Sequence, residues 1–124
     1  MPVATARDAA DLLEPLFAGA SGETLAVLHL DGGQEVLALD AQASGQGGSV
    51  LFPIRAIVAR AFALDTKSLI VAHNHPGGDP NPSRADIAAT RKLAATAAAL
   101  GIRLDDHLIF AGGDCRSFRA LGLL

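Results

Sequence analysis

Residues 68–86 read SLIVAHNHPGGDPNPSRAD: an apolar run that ends in two histidines, then a loop broken by glycines and prolines, then the start of a helix. Ser68 to Ala72 has the length and composition of a buried strand. If the strand continues to His75, alternation puts His73 and His75 on one side and Asn74 on the other. Pro76 to Pro82 holds two glycines and three prolines, too broken for regular structure, and can turn the chain back. Ser83 followed three residues later by Asp86 is an ordinary helix start. It would also bring the Asp86 carboxylate to face the two imidazoles. Two nitrogens and one oxygen leave a fourth tetrahedral position for water, the mark of a catalytic zinc and not of a closed structural one. Water held there falls from a pKa of about 15.7 to about 7. Asp79, in the same loop, is the rival carboxylate, although loop acids are usually solvated.

Around this segment the chain predicts an α/β domain. Thr5-Ala6-Arg7-Asp8 resembles a capping box with Asp in place of Glu, and Leu12, Leu13, Leu16 and Phe17 form one apolar stripe, so a first helix runs to about Ala18. Gly19 and Gly22 end it. Glu23 to Asp31 reads as a strand, Asp31-Gly32-Gly33 as a tight turn and Gln34 to Asp40 as the antiparallel partner. Ala43 to Ser49, rich in Gly and Ser, is expected to be a flexible loop between elements. Pro53 suits the first position of a second helix reaching about Leu64. A third helix is expected from Ser83 to Leu100, with Gly101 as its stop signal. Ile102 to Phe110 and Cys115 to Phe118 follow as strands around an Ala111-Gly112-Gly113-Asp114 turn. A single domain, residues 1–124, with a mixed sheet and packed helices is the expectation.

Composition narrows the functional classes. With 124 residues the chain has the size of one domain and can bury roughly two-thirds of its unfolded surface. Trp and Tyr are absent and only five Phe are present, so Ala, Leu, Ile and Val must build the core. The lone Cys115 cannot form an internal disulfide, and no leader or long apolar run is seen, which predicts a cytoplasmic protein without a membrane span. The net charge is −3, and the two lysines and eight arginines are scattered. Such a surface makes nucleic acid an unfavourable partner. Uncovered strand edges would let two copies pair, so a homodimer is a further expectation.

The pattern HxHP, six residues, SxxD resembles that of the JAMM (MPN+) metallopeptidases. The stretches HNHPGGDPNPSRADIAATRKL, LGIRLDDHLIF and SFRALGLL are similar to the catalytic domain of bacterial RadC-like proteins, from about Thr5 to Leu124. The resemblance implies the JAMM/MPN (cytidine-deaminase-like) architecture and one Zn2+ per chain, with His73, His75 and Asp86 as metal ligands. It implies that the Ser83 hydroxyl stabilises the oxyanion formed when hydroxide attacks a scissile carbonyl. It also places the general acid/base upstream at the first strand, where SGETLAVLHLD resembles the corresponding RadC stretch, which assigns Glu23. Glu35 is the alternative base; Glu14 reads as a solvated helix residue. RadC proteins usually carry an N-terminal helix-hairpin-helix segment, which this sequence does not show, so DNA association through that segment is not expected.

The expected function is zinc-dependent peptide or isopeptide hydrolysis, with the substrate open. One alternative is a metal-dependent, DNA-associated protein or nuclease of RadC type, although HNH nucleases draw those letters from separate parts of a ββα module. Another is a non-catalytic, metal-stabilised interaction module. A zinc deaminase is disfavoured because neither HxE nor PCxxC occurs. Asn74 is expected to anchor its loop by hydrogen bonds, and His29 to be a packed core residue. A contact of His107 with Asp105 or Asp106 is expected to support either the metal site or the sheet itself, and Cys115 to have no chemical role.

Overall fold

A computed structural model describes residues 2–20, 22–43 and 52–124. Among these residues the elements are α1 (Ala6–Ala18), β1 (Thr24–Leu30), β2 (Val36–Ala43), α2 (Ile54–Leu64), β3 (Ser68–Asn74), α3 (Arg84–Ala99), β4 (Arg103–Ala111) and β5 (Asp114–Ser117). The strands form one mixed sheet in the order β2-β1-β3-β4-β5. β3 and β4 are parallel, joined by α3, and the other neighbouring pairs are antiparallel. The expected α/β architecture is present, with helices on both faces.

Every residue of β3 is buried, as befits a central strand covered on both sides. Alternation along β1, β3 and β4 divides the core in two. On one face Ala9, Leu13 and Phe17 of α1 pack on Ala26, Leu28, Ile70, Ala72, Leu108 and Phe110. On the other, Ile57 and Ala61 of α2 and Leu93 and Ala97 of α3 pack on Leu25, Val27, Leu69, Val71 and Leu104. The edge strand β2 is largely exposed.

Element ends follow local chemistry. Thr5 caps α1 in a capping box with Asp8, and Ser83 caps α3 in the same way with Asp86. Pro53 is the N-cap of α2, one position before the place expected of it. Gly101, just past α3, has φ 77°, a left-handed conformation that glycine adopts without Cβ strain. β2 starts later than the alternation predicts and runs on to Ala43, because Ala43 still pairs with Thr24. β5 is Asp114–Ser117, one residue earlier than expected. The Gly- and Ser-rich stretch expected as a loop lies, from residue 44 on, outside the described residues.

Candidate metal centre

The site forms where β3 ends and α3 begins. β3 itself stops at Asn74, but the His75 amide donates to the Phe110 carbonyl at 2.9 Å, so the extended path continues one residue further. His73 and His75 therefore project together, with ring centroids 4.7 Å apart. The loop then returns the chain to the N-terminus of α3, where Asp86 is fully buried. Nε2 of His73 stands 2.9 Å from Nε2 of His75 and 3.5 Å from Oδ1 of Asp86, and Nε2 of His75 stands 3.1 Å from Oδ2 of Asp86. Together these three side chains could hold a metal ion.

The protonation of both rings follows from the groups behind them. The Thr90 hydroxyl donates to the Asp86 backbone carbonyl at 2.7 Å, so toward Nδ1 of His107, 2.6 Å away, it can only accept. His107 thus carries its proton on Nδ1 and presents a lone pair at Nε2. That lone pair faces Nδ1 of His73 at 2.7 Å, which makes His73 the donor there and leaves its Nε2 unprotonated. The same logic holds at His75, whose Nδ1 donates to the Asp79 carbonyl at 2.6 Å. Two imidazole lone pairs and a carboxylate then converge, an arrangement that requires a positive charge between them, a proton or a metal ion.

The electrostatics agree. Burial, with His73 as the next cause, pushes the His107 ring well below the ordinary histidine range, so it stays neutral. Phe118 stacks on it at 4.3 Å. Burial alone would raise the Asp86 carboxyl, but the His73 ring when protonated, and the amide and hydroxyl of Ser83, outweigh burial and hold it far below the usual carboxylate range. Oδ2 of Asp86 accepts the Ser83 amide at 2.9 Å. Oδ1 is buried and has no hydrogen-bond partner among the described residues. An orphaned buried carboxylate oxygen beside two lone pairs fits a cation, and three N/O donors suit zinc and similar divalent metals. Tetrahedral zinc at bond lengths of about 2.0–2.1 Å spaces its ligand atoms by roughly 3.3 Å, within the observed range.

The remaining sequence-level candidates fall as follows. Glu23 directly precedes β1; by alternation it shares the face of Leu25, which pairs with His73. Its Oε1 is also buried without a partner among the described residues. Glu35 lies past the opposite end of β1, roughly 20 Å of strand away. Ser83 is exposed, and its Oγ accepts the Asp86 amide at 3.0 Å, which leaves the hydroxyl proton unused by the cap. Asp79 is no rival ligand: its carbonyl orients His75, and its carboxylate accepts the Asn81 amide.

His29 is a packed residue, bonded to Thr66 at 2.8 Å. His107 does stand behind the site, but neither neighbouring aspartate is its side-chain partner. Asp106 instead accepts the His107 amide, the Ser117 hydroxyl and the Arg119 amide. Thr90 is the residue sequence reasoning missed; its signal is a polar side chain on the inner face of α3, one turn after Asp86.

A groove of about 530 Å³ opens beside His75. Phe17 and Phe110 line it, together with Asp11, Glu14 and Asp114, and no lysine or arginine is among the described residues of its wall. Among the described residues no helix is long and apolar enough to cross a membrane.

A family model described as the RadC-like JAB domain matches residues 3–123. The chain is similar to a UPF0758 protein of Rhodobacter capsulatus, 47% identical over 102 residues, covering 82% of this chain and 48% of the relative. A UPF0758 protein of Polaromonas is 37% identical over 114 residues, or 92% of this chain and 51% of the relative. One from Salinibacter ruber is 35% identical over 125 residues, spanning 100% of this chain and 53% of the relative. The chain thus spans about half the length of the curated relatives it matches.

Proposed function

The chain belongs to the RadC-like JAB domain family, and from that premise together with the geometry at the end of β3 we propose that it is a zinc-dependent hydrolase of peptide or isopeptide bonds. The observation that carries the reading is the convergence of the His73 and His75 Nε2 atoms, whose Nδ1 atoms are engaged elsewhere, with an Asp86 Oδ1 that has no hydrogen-bond partner among the described residues. His73, His75 and Asp86 would hold one zinc ion. When bound, the ion supplies Lewis acidity, which makes a water a nucleophile at neutral pH and polarises a carbonyl.

The chain's own residues do the rest. Glu23 receives the proton of the attacking water and delivers it to the leaving amine, a task that suits a carboxylate on the face of the ligand strand. The Ser83 hydroxyl, whose proton the helix cap does not use and which otherwise favours the Asp86 carboxylate, turns that proton toward the carbonyl oxygen as negative charge grows there. His107 and Thr90 hold the His73 ring in one tautomer while this happens. The acidic groove beside His75 favours a polypeptide over a nucleic acid, whose phosphates would meet Asp11, Glu14 and Asp114.

The test is metal analysis of the wild type and His75→Ala, combined with turnover of a panel of peptides and lysine isopeptides. One zinc per wild-type chain, loss of it in His75→Ala, and a Glu23→Gln variant that keeps zinc but hydrolyses nothing would support the reading. Equal metal in the first two proteins would remove the site. Zinc binding without turnover of any panel member, or metal-dependent cleavage of DNA in place of peptides, would remove the activity.

A further inference from the structure

Asn74 lies between the two imidazoles in sequence, yet its side chain is committed elsewhere. Its Oδ1 accepts the Thr24 amide at 2.7 Å, and its Nδ2 donates to the Gly22 carbonyl at 2.9 Å. Asn74 is only 6% exposed, so water competes little for either bond. The Gly22 carbonyl belongs to the peptide plane before Glu23, and the Thr24 amide to the plane after it. The rotation of one plane against the other is the φ and ψ of Glu23, the only soft backbone dihedrals there. One planar carboxamide holding both planes therefore fixes the direction in which the Glu23 Cα–Cβ bond leaves the chain.

On the β2 side the backbone holds this end of β1 through the pairing of Thr24 with Ala43, but toward the strand of the histidines, among the described residues, it does not reach as far. The β1–β3 register runs only as far as Leu25 opposite His73. Beyond that pair, the Asn74 side chain extends the ladder past the last backbone rung. From this geometry we infer that Asn74 is a positioning residue: it locks Glu23 to the strand that carries His73 and His75, so that the proton carrier and the metal ligands keep one fixed spacing. The inference rests on the proposed role of Glu23 in the hydrolase. It adds that the residue between the two histidines is required in its own right. A carboxamide is the side chain that supplies a donor and an acceptor in one plane.

The sequence contains only three glutamates, which makes the test direct. Protein labelled with 13C at glutamate carboxyls gives three resonances, and Glu23→Gln identifies one of them. In the wild type, adding zinc should displace the Glu23 resonance. In Asn74→Ala, zinc should bind at the same stoichiometry and the Thr24 amide should exchange about tenfold faster. The zinc-induced displacement of the Glu23 resonance should shrink or vanish. If Asn74→Ala does not fold, Asn74→Asp carries the same test, since it keeps an acceptor for Thr24 and loses the donor to Gly22. A folded variant whose Glu23 resonance answers zinc as the wild type does would overturn the inference. A Glu23 resonance that ignores zinc in the wild type would remove Glu23 from the site, and the inference with it. Failure of the wild type to bind zinc would instead sink the metal site itself, an outcome the metal analysis reads separately.

Discussion

His73 and His107, 34 positions apart, meet ring nitrogen to ring nitrogen at 2.7 Å, and the contact sends the lone pair of His73 toward Asp86. The second histidine is held in turn by Thr90 from the helix that carries Asp86. The strand of His73, the strand of His107 and the helix of Asp86 thus close one hydrogen-bonded circuit.

Breaking that circuit at its far end should be felt at the metal. Thr90→Val keeps the side-chain shape but removes the acceptor for Nδ1 of His107. Zinc affinity should fall about 10- to 100-fold, and the metal-free protein should lose about 1–3 kcal/mol because a buried donor is left unpaired. Chelator competition and urea unfolding measure the two effects. Unchanged zinc affinity would mean that the His73 tautomer is set by something else.

Zinc should stabilise the fold as well as serve the site. At a free concentration about one hundred times its dissociation constant, a ligand bound only by the native state adds about 2.7 kcal/mol. Thermal unfolding with and without chelator should show that gain in the wild type and its absence in His75→Ala and Asp86→Ala. A chelator-insensitive melting temperature in the wild type would contradict it.

Stability of the metal-free protein should decline on mild acidification. Burial lowers the titration of both His29 and His107 below the ordinary value of 6.5. Below pH 6.5 the unfolded chain therefore binds protons that the folded chain refuses, and stability rises with pH across that window. It is fully present above pH 6.5 and is lost as pH falls toward the folded values, at up to about 1.4 kcal/mol per pH unit for each ring. The depressed Asp86 carboxyl acts later. Its contribution is present above its unfolded value of 3.8 and disappears as pH falls through the folded value. Urea midpoints at pH 7.5, 6.0 and 5.0 in chelator should fall in that order; a flat series would mean that both rings accept protons while folded.

The two halves of the core should separate in their effects. Leu13→Ala on α1 and Leu93→Ala on α3 each empty a fully buried position and should each cost about 2–5 kcal/mol. Only the second lies on the helix that presents Asp86, on the same face of the sheet as His73. Zinc affinity should therefore drop in Leu93→Ala and stay at the wild-type level in Leu13→Ala. Equal losses in both would show that the sheet transmits strain between its faces.

Most of this was legible in the sequence because its signals are local. Two histidines two apart on a strand, and a serine and an aspartate three apart at a helix start, are each fixed by a single element's periodicity. The same holds for the Thr5 cap and the apolar run from Leu69 to Ala72 in β3. The partners of these residues were not legible. Asp105 and Asp106 adjoin His107 in sequence, yet Thr90 is its partner, because a strand residue's side chain meets the helix packed above it and not its own neighbours. The hold of Asn74 on the peptide units around Glu23 bridges 50 and 52 positions, a separation no spacing rule encodes. The late end of β2 was likewise decided across the sheet, by the pairing of Ala43 with Thr24.

The Asp86 carboxylate accepts the Ser83 amide in the first turn of α3 as well as facing the two imidazoles. A copy without the proposed activity would still have reason to keep this acid, since it caps the N-terminus of α3. The histidines carry no such second duty at a helix end. In a copy under no pressure to bind a metal, replacing the imidazoles should therefore cost the fold less at this helix end than replacing the aspartate.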